Sequence, residues 1–155
     1  MPKIENIIQP DKETWLKKFR FGTDVRVRFC ETDALGHLNN VSYFIYYEQA
    51  RLDYFRELGL TEKLLNDDQS YVVTADLYCQ FLDEVYFDEE LEVKLRTTKL
   101  GNTSFDLEYG LLRKDKGTVA ATGRGAIVLV DKNTHKSTPL PDELSSKIKE
   151  YEPEL

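Results

Sequence analysis

Cysteine and histidine each occur only twice in these 155 residues, and tryptophan and methionine once. Cys30 and Cys79 are far apart, no C-x-x-C pair exists, and each cysteine sits in an apolar, strand-like run. That pattern argues against a zinc site or a redox pair. Two plain buried thiols are expected instead, with no metal and no cofactor. Long apolar runs are also missing: nothing approaches the roughly 20 residues of a membrane-spanning helix. The stretch Met1 to Asn6 has no apolar core followed by a small-residue cleavage site, so no secretory signal is read and the cytoplasm is the expected compartment. Positive charge is scarce, with 21 Lys and Arg against 28 Asp and Glu and a net charge of -7. Such a chain lacks the basic face that replaces nucleic-acid counterions, so no nucleic-acid partner is expected. A few local Arg or Lys residues still suffice to hold one phosphate group.

What remains is an ordinary globular balance, 41% hydrophobic and 32% charged, at a length suited to one domain. The expectation is a single domain over residues 1–155, with 1–20 an irregular N-terminal arm and 142–155 a C-terminal extension. Trp15, Leu16 and Phe19 would pack as a short helical turn or as part of that arm. From Asp24, the residues Val25, Val27 and Phe29 alternate with Arg26, Arg28 and Cys30, the period of a half-buried strand. Glu31 to Asn40 is rich in Asp, Gly and Asn and reads as a loop.

The spacing then predicts a helix over 41–58. Tyr43, Tyr47, Ala50, Tyr54 and Leu58 recur at three and four, and Phe44, Ile45, Leu52 and Phe55 form a second stripe. Apolar residues on more than one face mark a helix enclosed by other structure. Asn40 is the expected N-cap and Gly59 the expected stop. Strand patterns follow at 71–82, from Leu91, from Phe105 and over 119–130, joined mainly by tight turns that force antiparallel neighbours. A short polar helix is expected over 142–151. One helix cannot serve as the crossover for all these strands, so a parallel α/β fold is excluded. The pattern calls for an α+β chain, a curved antiparallel five-stranded sheet wrapped around one long central helix.

That order resembles the hotdog fold, and more narrowly the 4-hydroxybenzoyl-CoA thioesterase family. The resemblance is carried by Val25-Arg26-Val27-Arg28-Phe29, by Glu31-Thr32-Asp33-Ala34-Leu35-Gly36-His37-Leu38-Asn39-Asn40, and by Tyr43-Phe44-Ile45-Tyr46-Tyr47-Glu48-Gln49-Ala50-Arg51. The closing run Ala126 to Asp131, with Lys136, Pro139, Leu140 and Pro141, is also similar. Here Lys136 is followed by Ser137-Thr138, where many relatives read Lys-Pro. The likeness covers roughly residues 20 to 142 and implies a hydrolase that cleaves an acyl-CoA thioester to free acid and CoA.

Thioester hydrolysis needs an activated nucleophile, a donor for the oxyanion and a grip on CoA. By resemblance Asp33 is the catalytic carboxylate, attacking the carbonyl or activating a water; its plainer role is an Asx turn that caps local backbone. Gly36 lets the loop turn. A backbone amide near Asn40, at a helix N-terminus, is the implied oxyanion donor. His37 is a general-base candidate or a residue that orders the loop, and Asn39 has a structural or substrate-binding role. Tyr43 and Tyr47, with Phe44, Tyr46, Tyr54 and Phe55, would wall a substrate pocket or build core. Glu48, about two turns into the helix, is the rival carboxylate; its plainer role is a surface charge near Arg51 or Arg56. Arg96, Lys99, Arg113 and Arg124 are candidates for the CoA phosphates, and the plainer role of each is a solvated surface charge.

A sheet with open edges invites pairing, so a homodimer or homotetramer with composite sites is expected. The alternatives are an acyl-ACP thioesterase and a non-catalytic acyl-CoA-binding hotdog domain. A hotdog dehydratase would carry a His-containing helix motif that is missing here.

Overall fold

Period-two patterning becomes a meander in the computed structural model, which describes residues 6–155. Strands β1 (Phe21–Arg26), β2 (Ser70–Phe81), β3 (Glu90–Leu100), β4 (Ser104–Arg113) and β5 (Thr118–Asp131) form one antiparallel sheet in the order β1-β3-β4-β5-β2. The alternating residues Leu91, Val93 and Leu95 of β3, and Phe105, Leu107, Tyr109 and Leu111 of β4, all point into one core. The expected α+β hotdog architecture is therefore what forms.

Helices α1 (Lys12–Lys17), α2 (Asn40–Glu57), α3 (Thr61–Leu65) and α4 (Asp142–Tyr151) complete the chain. α2 buries Tyr43, Tyr46, Tyr47, Ala50, Tyr54 and Phe55, side chains spread around much of its circumference, because the sheet encloses it. Tyr47 presses so closely on β5 that a Cβ at Gly123 would sit 2.6 Å from the Tyr47 ring; only glycine fits there. α4 buries Leu144 and Ile148, and just beyond it Glu152 accepts a 2.7 Å hydrogen bond from the Tyr54 hydroxyl.

Several local expectations are corrected. β1 runs from Phe21 to Arg26, where an onset at Asp24 and a strand through Cys30 were expected. Its one partner among the described residues, β3, begins at Glu90, which pairs with Arg26; beyond that the chain has no ladder and closes into a 3-10 turn at Phe29–Glu31. Cys30 is consequently exposed, not buried, and Cys79 is only half-buried. The N-terminal arm holds a real helix, α1, capped by Asp11 Oδ1 accepting from the Thr14 amide at 2.8 Å. Trp15 is fully buried with Ile7, Phe19 and Val119 in a second cluster, on the sheet face away from α2. There its indole N–H donates to Glu108 at 2.7 Å. α3 was not anticipated, since five residues are too few for a clear period.

Candidate active site

The loop between β1 and α2 is closed by its own backbone. The Asp33 amide donates to the His37 carbonyl at 2.9 Å, and the Gly36 amide to the Asp33 carbonyl at 3.0 Å. Gly36 adopts φ of +77° to make that turn, a region that side chains resist. Asp33 Oδ1 accepts from the amides of Leu35 at 2.9 Å and His37 at 3.2 Å. The Asx turn is thus real, and it has a consequence: one oxygen is pinned while Oδ2 takes no partner among the described residues. The carboxylate is held and still has a free face.

The base of the loop is locked on both sides. Glu31 is buried, and its Oε1 accepts from the Arg28 amide at 2.8 Å and from Arg28 Nε at 3.1 Å. Burial pushes the Glu31 carboxyl up, but the Arg28 contacts outweigh it and the net shift is downward. The Glu31 carbonyl accepts from the Asn39 amide at 2.8 Å and the Ser42 hydroxyl at 3.1 Å. The far side is zipped to the loop after β2, with the Leu38 amide donating to the Val85 carbonyl at 2.6 Å and an antiparallel bridge joining His37 to Tyr86.

The helix cap is Asn39, one residue before the expected Asn40. Asn39 Oδ1 accepts from the Val41 amide at 3.1 Å and its carbonyl from the Ser42 amide at 2.9 Å. Asn40 becomes the first helical residue, whose N–H has no intrahelical partner and none elsewhere among the described residues. The correction strengthens the chemical case, because the capping atoms leave the Asn40 amide available at the positive end of an 18-residue helix.

Asp33, His37, Asn40 and Tyr43 line one cavity of about 420 Å³, together with Leu38 and the run from Phe81 to Val85. Gly36 and Asn39 shape its wall without lining it. Tyr47 is elsewhere: it is fully buried and stacked on Tyr109, with ring centroids 4.5 Å apart, so it is core. Glu48 is exposed on α2 and outside this cavity. Asp83, Glu84 and Val85 were missed. No motif or spacing marks them, and antiparallel pairing across the sheet brings them to the loop. Glu84 Oε2 accepts from the Tyr86 hydroxyl at 2.6 Å and lies 3.6 Å from His37 Nε2.

The four candidate cations do not gather here. Arg113 is enclosed in a clamp, donating to Glu89 at 2.9 and 2.6 Å and to Asp83 at 2.8 Å. Arg96, Lys99 and Arg124 line a larger cleft of about 810 Å³ with Asp76, Asp106 and Glu108. It lies on the sheet face away from α2 and offers no helix N-terminus beside a free carboxylate. Chemistry therefore favours the smaller cavity.

Residues 27–148 match the profile of the thioesterase-like superfamily. The chain is similar to YsmA of Bacillus subtilis, 35% identical over 91% of this chain and 93% of that protein. It is similar to the acyl-CoA thioesterase YbgC of Haemophilus influenzae, 27% identical over 81% of this chain and 92% of that one. Among solved structures, a Thermus thermophilus thioesterase complexed with coenzyme A and Zn superposes with a TM-score of 0.75 at 29% identity, covering 88% of this chain and 98% of that one. With the held carboxylate and the unbonded helix amide facing one cavity, the chain is a thioester hydrolase and belongs to the thioesterase-like superfamily.

Proposed function

We propose that this hydrolase cleaves acyl-CoA thioesters, as a single domain of the 4-hydroxybenzoyl-CoA thioesterase type, with Asp33 as the essential carboxylate and the Asn40 N–H as oxyanion donor. The observation that carries the reading is their shared cavity: a pinned carboxylate with one oxygen free, and an amide without another partner, among the described residues. A substrate carbonyl held by the amide meets either Asp33 itself or a water that Asp33 deprotonates. The test is release of free thiol over a panel of short, branched, long and aryl acyl-CoAs. Turnover of at least one class is expected. Zero release throughout would move the reading to a non-catalytic acyl-CoA-binding domain, and faster cleavage of matched carrier-protein esters would move it to acyl-ACP.

The same reading includes a homodimer formed at β2. This strand is a sheet edge exposing Val73 and Tyr78. Phe29, Leu35, Val41, Phe81, Leu82 and Phe87 are also exposed, on the elements that build the cavity, so an apolar rim continues from the edge. A lone 12-residue edge strand is a template for pairing, and a second copy would cover strand and rim together. Light scattering should give about twice the 18.0 kDa chain mass. Two lysines on the edge, Val73→Lys with Tyr78→Lys, should yield monomer. A wild-type monomer at micromolar concentration would refute the pairing.

A further inference from the structure

Among the described residues, five tyrosines are buried: Tyr43, Tyr46, Tyr47, Tyr54 and Tyr109. Buried tyrosine hydroxyls ordinarily find a partner, and most of these do. Tyr54 donates to Glu152 at 2.7 Å. Tyr109 accepts from Arg51 at 3.4 Å, and the Tyr47 hydroxyl takes the Cys79 thiol at 3.6 Å. The Tyr46 hydroxyl is sealed from solvent beside the Glu31 carboxylate, short of hydrogen-bond geometry. Tyr43 differs from all four. Its residue is 4% exposed, it lines the cavity with Asp33 and Asn40, and its hydroxyl has no hydrogen bond among the described residues. Nor is that hydroxyl shut away as the Tyr46 hydroxyl is. The missing partner is therefore supplied from the cavity side.

Geometry says which partner. Tyr43 lies one turn into α2 from the end that presents the Asn40 N–H, and both residues line the same cavity. Phe81 packs edge-on against the Tyr43 ring, 4.8 Å between centroids at 81°, which limits the ring to small motions. We propose that Tyr43 is a second catalytic hydrogen-bond donor, its O–H joining the Asn40 N–H on the thioester carbonyl oxygen as negative charge develops there. This rests on the reading of the cavity as an acyl-CoA thioesterase site. As Asp33 or its water adds to the carbonyl carbon, the π pair moves onto the oxygen between the two donors. When that pair returns, the carbon–sulfur bond breaks and CoA leaves as thiolate. Tyr43 keeps its proton throughout. Burial, with Asp83 and Glu89 adding to it against Arg113, pushes its pKa up to about 12, so the hydroxyl remains a donor at every working pH.

Tyr43→Phe tests this directly, since it removes one oxygen that makes no hydrogen bond among the described residues. The melting temperature should stay within about 2 °C. Loss of one oxyanion donor should lower kcat on the order of 100-fold, with KM changed less than about threefold. A tyrosine that merely walls the pocket would move KM and leave kcat alone, and that outcome overturns the proposal. A binding arm separates this from failure of the thioesterase reading. In the Asp33→Asn background, calorimetry compares an acyl-CoA with the S-alkyl thioether of CoA that lacks the carbonyl. Two donors predict a preference for the acyl form, and Tyr43→Phe should cut it roughly 2- to 12-fold, one hydrogen bond's share, leaving the part due to the Asn40 N–H. An unchanged preference overturns the donor role even if wild type hydrolyses acyl-CoA. If wild type turns over nothing, the acyl-CoA hydrolase reading falls while the binding arm still decides Tyr43. Binding of neither ligand overturns both.

Discussion

Asp33→Asn should lower kcat for acyl-CoA hydrolysis about a thousand-fold or more while the protein stays folded. Asparagine keeps an Oδ1, so the bonds from the Leu35 and His37 amides survive and the loop holds its turn. What disappears is the negative charge of a residue that lines the cavity. A positioned general base contributes roughly 10²- to 10⁴-fold, and an attacking carboxylate has no substitute at all once it is an amide. Because Asp33 is exposed, the substitution should leave the melting temperature nearly unchanged, and circular dichroism with a thermal scan checks that beside the thiol assay. Asp33→Ala is the useful contrast. It removes the Asx turn as well as the charge, so it should be as inactive and also less stable, by about 1 kcal/mol for the lost local bonds.

Glu48→Gln is the control that gives this result its meaning. Glu48 sits on the solvent side of α2, outside the cavity that holds the free Asn40 amide, so activity within about twofold of wild type is expected for this exposed position. Full activity in Asp33→Asn together with loss in Glu48→Gln would transfer the chemistry to the helix carboxylate. In that case the composite site would have to be completed by another subunit.

How much of this could be read in the chain depends on the range of the interaction. α2 and β3 to β5 were legible because burial writes a period into consecutive residues. The Asp33 loop was legible because Asp, Gly and Asn are needed there for backbone reasons as well as chemical ones. The N-cap was misplaced by one residue because Asn39 and Asn40 are equally good caps. The choice is made by the Asn39 amide bonding to the Glu31 carbonyl, a contact that no local pattern records. Tyr47 and Tyr43 are indistinguishable by helical spacing. Gly123, 76 residues away, admits the first into the core, whereas the second meets the cavity. The second wall of the site, Asp83 to Val85, was illegible for the same reason: only the pairing of distant strands brings it to Leu38. The role of Arg113 was illegible because its partners are likewise remote, at sequence separations of 24 and 30.

Those partners make Arg113 the residue on which the second wall depends. Its guanidinium grips Glu89 with two N–H groups and Asp83 with a third, fastening both ends of the loop that presents Val85 to Leu38 and Tyr86 to His37. Burial alone would push the Glu89 carboxyl up, yet the Arg113 fork and the Tyr86 amide hold it below its ordinary range. The arginine side chain is 3% exposed, against 17% for Glu89 and 40% for Asp83. Arg113→Met should strand two carboxylates at the edge of the core. Breaking a sealed ion pair costs about 3–5 kcal/mol, and the partial exposure of both acids lets water return to them, so a loss of about 2–3 kcal/mol is expected. At this chain length that is a drop of about 5–10 °C in melting temperature. Arg113→Lys keeps the charge but cannot reach three oxygens in one plane, and should lose about half as much. Removing the stranded acid as well, in Arg113→Met with Glu89→Leu, should recover part of the loss, since replacing both partners leaves less charge without company. Urea melts of wild type, Arg113→Met, Glu89→Leu and the double variant form the cycle, and kcat measured well below each midpoint reports whether the loop still holds Leu38 and the Asp33 turn in place. A loss under 1 kcal/mol in Arg113→Met would show that the clamp does not fasten the wall; a full loss with unchanged kcat would show that it fastens the fold and not the site.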